Sequence, residues 1–65
     1  MDADPKYIEQ TLLKAGDVAK RLNISRSLAY QLMKSGEITS VKIRKLIRTT
    51  ESDLDDYIEK SRMIN

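Results

Sequence analysis

The chain has 65 residues, of which 34% are charged, and a net charge of +2 at pH 7. A chain of this length buries only about 60% of the surface that it exposes when unfolded, which argues for one domain and against a large enclosed cavity. It contains no Cys and no His, so disulfides, Cys/His zinc sites and His-activated nucleophiles are excluded. We expect a protein that is not an enzyme and has no catalytic residues, metal or cofactor.

The charges are segregated along the chain. Residues 1–13 carry three acidic residues against one basic residue, and residues 49–65 carry five against two. Residues 14–48 carry nine basic residues against two acidic ones. This block of positive charge indicates a face that binds a polyanion, and an ordinary solvated surface is the alternative. The nine basic residues are Lys14, Lys20, Arg21, Arg26, Lys34, Lys42, Arg44, Lys45 and Arg48.

The sequence contains no apolar run long enough to span a bilayer. It also lacks the pattern of a secretory signal. We therefore expect a cytoplasmic protein that does not bind membranes.

The first segment, residues 1–11, is predicted to form an N-terminal arm or a short helix. Asp4 can cap a helix, and Pro5 is suited to its first position. The sequence leaves both alternatives open. It places the folded domain over residues 12–62.

Two helices follow, separated by a very short turn. Apolar residues at i, i+1 and i+4 predict a helix from about Ala15 to Leu22, and a similar pattern predicts a second helix from Arg26 to Ser35. Asn23 tolerates the left-handed conformation that such a turn requires. Ser25 can accept hydrogen bonds from the free N–H groups of the second helix, and Gly36 can end it. The stretch predicts a helix-turn-helix, and a generic helical hairpin is the alternative.

The next segment is predicted to be a β-hairpin. Two short β-favouring runs, residues 40–43 and 46–49, are separated by Arg44 and Lys45 at the tip. We expect the apolar side chains of the two strands to point inward and the basic ones outward. The residues expected inward are Val41, Ile43 and Ile47, and those expected outward are Lys42 and Arg48.

The last element is predicted to be a helix that begins after Thr50, which can cap it. Acidic residues in its first turn favour this start, and Leu54, Tyr57 and Ile58 are its expected buried stripe. A polyanion would repel the acidic side chains, so we expect this helix to brace the hairpin from behind. The order helix, helix, hairpin, helix gives a mainly α fold with a small β-hairpin.

The sequence from Leu12 to Lys60 resembles a known family. The residues that carry the resemblance are LLKAGDVAKRLNISRSLAYQLMKSGEI, followed by VKIRKLIRTTESDLDDYIEK. The most specific elements are Ser25-Arg26-Ser27 with Tyr30 and Leu32, and then Ser35-Gly36-Glu37-Ile38. They are similar to the excisionase-type, MerR-related winged helix-turn-helix family. The sequence departs from this family at the wing tip, where Arg44 stands in place of the usual Gly.

The resemblance implies a small DNA-binding domain with a recognition helix, residues 26–35, and a hairpin that forms a wing. Members of the family include recombination directionality factors, which bend DNA at phage and plasmid attachment sites, and small transcriptional regulators. Double-stranded DNA is therefore the partner that the resemblance implies.

The recognition helix would place its N-terminal residues in the major groove of DNA. Arg26 could bind a guanine or a phosphate, and Gln31 could bind an adenine or be merely solvated. Tyr30 could reach a phosphate with its hydroxyl, or its ring could pack near the wing. Ser25 and Ser27 suit phosphate contacts at a helix N-terminus.

The wing would make a second contact. Basic side chains at its tip fit against phosphates or into a narrowed minor groove, whose negative potential attracts Arg. A solubilising turn is the alternative. The wing residues predicted to bind DNA are Lys42, Arg44, Lys45 and Arg48.

Three functions are compatible with this interpretation. The first is a DNA-bending directionality factor that acts with a site-specific recombinase of the integrase type and binds adjacent DNA sites in several copies. The second is a small transcriptional regulator. The third is a protein-interaction module, in which the basic face is incidental. We expect the first of these, a protein of excisionase type.

Overall fold

The computed structural model describes residues 12–63. In chain order its elements are helix α1 (Ala15–Leu22), helix α2 (Arg26–Ser35), strand β1 (Val41–Ile43), strand β2 (Leu46–Arg48) and helix α3 (Glu51–Lys60). Over these residues the mainly helical, winged helix-turn-helix fold is confirmed. The arm or short helix predicted over residues 1–11 lies outside the described residues. None of the helices between residues 12 and 63 is long and apolar enough to cross a membrane.

Helix α1 begins at Ala15 although the residue before it cannot cap a helix. The ammonium group of Lys14 has no lone pair with which to accept a hydrogen bond. Instead, the backbone N–H of Lys14 donates to Oδ2 of Asp17 over 3.0 Å. This contact is one half of a capping box, and it places a carboxylate near the positive end of the helix dipole. Asp17 thus provides the start signal for α1.

The turn between α1 and α2 has the predicted geometry. Asn23 lies in the left-handed region, with φ 58° and ψ 48°. Oγ of Ser25 caps α2 by accepting from the backbone N–H of Leu28 over 3.1 Å. Gly36 ends α2 with φ 90°. The predictions for these three local signals are confirmed.

The hairpin has a register that contradicts the predicted alternation of its side chains. Residues directly opposite each other on an antiparallel pair share one face of the sheet. The face on which Ile47 packs against the core therefore also carries Lys42. Val41 and Ile43 lie on the other face, where they are 47% and 48% exposed. The predictions that these two residues point inward and that Lys42 points outward are therefore wrong. The opposed pairs are Val41–Arg48, Lys42–Ile47 and Ile43–Leu46.

The core is small and includes residues that the helical periodicities do not reveal. Ile38 is fully buried after the end of α2, and Leu13 is 4% exposed before the start of α1. Leu13 forms an antiparallel bridge with Thr49 through backbone hydrogen bonds of 2.7 and 3.1 Å, which fastens the wing to the segment before α1. The buried hydroxyl of Thr49 donates to the carbonyl of Thr39 over 2.6 Å, so this polar group is satisfied. The buried apolar residues are Leu13, Val18, Ala19, Ala29, Met33, Ile38 and Leu54.

Helix α3 begins as predicted. The backbone N–H of Asp53 donates to Oγ1 of Thr50 over 3.1 Å, and Leu54 is 1% exposed in the core. Tyr57 packs against the core as expected. Ile58 is 41% exposed, so its prediction as part of the buried stripe is wrong.

An ion pair joins the end of α1 to the start of α3. Nη1 and Nη2 of Arg21 donate to Oε1 and Oε2 of Glu51 over 3.1 and 2.9 Å. These hydrogen bonds, and then the opposite charge, lower the pKa of Glu51 and raise the pKa of Arg21. Both side chains are about half exposed, so the pair orients the two helices and adds little to the free energy of unfolding.

Candidate nucleic-acid interface

Basic side chains from three elements surround a groove between α1, α2 and β2, which we call the α1 groove. The groove collects residues from the start of α1, from α2 and from the wing. Of the residues predicted to bind DNA, it brings together Arg26, Tyr30, Lys45 and Arg48. Its charged lining residues are Lys14, Asp17, Lys20, Arg26, Lys45 and Arg48.

A second groove, the α2 groove, lies between the C-terminal half of α2 and the hairpin. Its basic lining residues are Lys34, Lys42 and Lys45. Tyr30, Lys45 and Ile47 line both grooves and therefore form the ridge between them. The two grooves make one continuous basic surface along α2 and the wing.

The block of positive charge in the sequence is gathered in these grooves. Of the nine basic residues between positions 14 and 48, all but Arg21 and Arg44 line one of the two grooves. Arg21 is paired with Glu51 of α3. Over residues 12–63, Asp17 is the one acidic residue in either lining, and its carboxylate caps α1. The potential of this surface is therefore positive, which suits a polyanion.

The part of the chain that the structure describes gives no sign of a competing metal site. Between residues 12 and 63, no group of three or more His, Cys, Asp or Glu residues could hold a metal ion.

Helix α2 presents further predicted contact residues outside the grooves. Ser27 and Gln31 are exposed and line neither groove. Oγ of Ser25 accepts the capping hydrogen bond, and its hydroxyl hydrogen can still be donated to another partner. Of the residues predicted to bind DNA from the recognition helix, Arg26 and Tyr30 thus line a groove, whereas Ser25, Ser27 and Gln31 do not.

Tyr30 lies between α2 and the wing. It lines both grooves together with Lys45, and the residue is 43% exposed. Nζ of Lys34 lies 6.0 Å from the ring centroid, at the limit of a cation–π contact.

Arg44 stands at the wing tip in a conformation that is unusual for its residue type. Its φ is 57°, in the left-handed region, which costs roughly 1–2 kcal/mol for a residue with a Cβ atom. Arg44 is exposed and lines neither groove. The wing tip thus adopts a backbone conformation that Gly adopts without strain, although its residue has a long, charged side chain.

Three groove residues were not assigned to the site from the sequence: Lys14, Lys20 and Lys34. They appeared only in the count of basic residues. Lys14 reaches the α1 groove because the bridge between Leu13 and Thr49 brings the start of the domain beside β2. No local pattern reveals this long-range pairing. Lys34 lies one helical turn after Tyr30, and this spacing could have identified it.

Comparison with known proteins is consistent with this geometry. Residues 12–62 match the profile of a family described as a helix-turn-helix domain. A protein from Saccharopolyspora erythraea described as a probable excisionase is 42% identical to the chain over 48 residues. The match covers 74% of the chain and 49% of that protein, so the chain spans about half the length of this relative. No solved structure matches the chain.

Proposed function

The chain belongs to the helix-turn-helix domain family, and from this premise we propose that it is an excisionase-like protein that binds and bends double-stranded DNA. The observation that carries the proposal is the continuous basic surface formed by the two grooves along α2 and the wing. The likeness to a probable excisionase supports the recombination role. On this proposal the protein directs recombination without catalysing it.

The proposed binding mode places the N-terminal half of α2 in the major groove. Gln31 has the donor and acceptor pair that matches adenine, and Ser27 can donate to a phosphate. Leu28 is 43% exposed between them and would meet a thymine methyl group. Arg26 and Tyr30 line the α1 groove, where they would contact the DNA backbone beside the major groove.

The wing would contact the adjacent backbone and minor groove. Arg48 lines the α1 groove, Lys42 lines the α2 groove and Lys45 lines both, so DNA phosphates lying along the two grooves would meet all three. Arg44 at the tip is suited to a narrowed minor groove, whose negative potential attracts a guanidinium group. Strain retained at an exposed position supports a functional role for this residue.

Bending and assembly complete the proposal. A wing held in a deformed minor groove would bend DNA locally, and several copies on adjacent sites would organise a recombination complex with an integrase-type recombinase. We also propose that the domain comprises residues 12–62, is related to the MerR type and acts in the cytoplasm, where it would meet its DNA.

Two other functions are distinguished by specific observations. A small transcriptional regulator would use the same basic surface without bending DNA. A protein-interaction module would use the outer face of the wing. Val41 and Ile43 are each about half exposed on that face and line neither groove.

Circular-permutation gel shifts test the proposal. The DNA would be fragments that flank the gene of this protein, with the binding site moved from the end to the middle. We expect mobility to depend on the position of the site, and longer fragments to give several shifted species. Straight DNA at saturating protein would favour the regulator. The absence of salt-dependent binding would favour the protein-interaction module.

A further inference from the structure

The side chain of Arg26 lies against the first turn of α1. An ideal Cβ atom built on Gly16 would be 3.3 Å from Nη2 of Arg26, 3.5 Å from Nε and 3.7 Å from Cζ. The guanidinium group therefore covers the α-carbon of Gly16, and it does not extend freely from the start of α2. Both residues line the α1 groove.

The backbone of α1 does not itself require glycine at this position. Of the two glycines in the chain, Gly36 has a positive φ and Gly16 does not. Gly16 lies inside a regular helix, where Ala is favoured over Gly. A side chain at position 16 would instead compete with the guanidinium group of Arg26 for space. The guanidinium group would have to shift by a few tenths of an ångström to admit a Cβ atom at position 16, and a longer side chain there would displace it further.

The charge of Arg26 is available for a ligand. The ion pairs among residues 12–63 use Arg21 and Arg62, so no described carboxylate neutralises Arg26. Lys45 and Arg48 of the wing line the same groove as its guanidinium group. Positive charges from α2 and from β2 therefore face one another across a space in which an anion would be attracted by both.

We propose that Gly16 positions Arg26 to bind a phosphodiester group of the DNA backbone in the α1 groove. This inference rests on the proposed function and specifies how one of its residues acts. A guanidinium group binds phosphate oxygens with two parallel hydrogen bonds when its plane is held in a fixed orientation. Packing on Gly16 supplies this orientation before DNA arrives. On this proposal Arg26 contacts the DNA backbone.

A phosphate contact can be tested without knowledge of the target sequence. The probe is a fluorescently labelled duplex of mixed sequence, and its affinity is measured by anisotropy over a series of salt concentrations. The variants are Arg26→Ala, Gly16→Ala, Gly16→Leu and the double variant with Gly16→Leu and Arg26→Ala. Ser52→Leu, on the exposed side of α3, is the control for an added apolar side chain.

We expect Arg26→Ala to weaken binding roughly 10-fold at low salt and to make the slope of log affinity against log salt shallower by about 0.9, the value for one phosphate. Gly16→Leu should cause nearly the same losses, and Gly16→Ala a smaller one, because a single methyl group displaces the guanidinium group only slightly. Gly16→Leu should have no further effect in the Arg26→Ala background. The Ser52→Leu control should bind as the wild type does.

Each contrary result has a distinct meaning. An unchanged salt slope in Arg26→Ala overturns the phosphate contact, and an equal loss from Gly16→Leu with and without Arg26 overturns the positioning role. Wild-type protein that binds the duplex without salt dependence contradicts the proposed function itself. Thermal melts by circular dichroism establish that each variant is folded. If Gly16→Leu does not fold, the smaller loss expected of Gly16→Ala becomes the test, because Ala is well suited to a helix. Wild-type binding by folded Gly16→Ala then overturns the positioning role.

Discussion

The turn between α1 and α2 and the tip of the wing both contain a left-handed residue that is not glycine. Asn23 has φ 58° and Arg44 has φ 57°. Asn tolerates this conformation because its short polar side chain can hydrogen-bond locally, and Arg has no such advantage. Next to Asn23, Ile24 packs against the core and its N–H donates to the carbonyl of Ala19 over 2.9 Å.

The surroundings of Arg44 are different. Ile43 and Leu46 flank the tip and are 48% and 53% exposed, so no buried contact offsets the strain. The first turn uses its left-handed residue to make the fold. The second carries a strained residue on a projecting hairpin, where it places positive charge. Two similar backbone angles thus serve stability in one region and, on our proposal, DNA binding in the other.

The largest effect is expected at the turn. Asn23→Val should lower the free energy of unfolding by roughly 1–3 kcal/mol, because a β-branched residue is poorly suited to φ near 60°. Asn23→Gly is the matched control and should melt close to the wild type. Thermal denaturation followed by circular dichroism measures both. A wild-type melting temperature in Asn23→Val would contradict the role given to this turn.

A smaller effect, of opposite sign, is expected at the wing tip. Arg44→Gly should raise the free energy of unfolding by about 1 kcal/mol, because it relieves the left-handed strain. The same variant should weaken DNA binding, since it removes a charge from the tip. Arg44→Ala removes the charge but keeps the strain, so it should lose affinity without gaining stability. If Arg44→Gly is more stable and still binds DNA as the wild type does, the strain has no connection with binding.

The smallest effect is expected at the ion pair that joins α1 to α3. The pKa of Glu51 is lowered by its hydrogen bonds to Arg21, so the pair stabilises the fold above the ordinary Glu pKa of about 4.3. This contribution is lost as the pH falls through the lowered pKa. Glu51→Gln should therefore melt slightly below the wild type at pH 7, and the difference should vanish in acid. Glu59→Gln, which breaks the pair between α3 and Arg62 just beyond its end, is the control. A difference that persists in acid would assign the effect to another cause.

Local signals in the sequence predicted much of the fold. Asn23, Ser25 and Gly36 act on the backbone within a few residues, so their effect can be read from residue type and spacing. The face of the hairpin on which each wing residue lies could also have been predicted from the sequence. A two-residue loop at positions 44 and 45 pairs Ile43 with Leu46 and hence Lys42 with Ile47. Since alternate residues face opposite ways, Ile43 and Ile47 cannot both point inward.

Other features depend on contacts between distant parts of the chain. The bridge between Leu13 and Thr49 joins segments more than thirty residues apart, and no periodicity indicates it. The same holds for Gly16, which meets Arg26 across the angle between two helices. The basic residues can be counted in the sequence, whereas the structure was needed to find that most of them line the α1 and α2 grooves.

The central claim is that the basic surface binds the DNA backbone, and the salt dependence of affinity tests it most directly. If about five phosphates are neutralised, log affinity should fall against log salt with a slope of roughly −4 to −5. The double variant Arg44→Ala with Lys45→Ala should have a slope shallower by about one to two units. Lys60→Ala, on α3 and outside both grooves, should leave the slope unchanged. A wild-type slope near zero, or an equal change in the wing and α3 variants, would contradict the account.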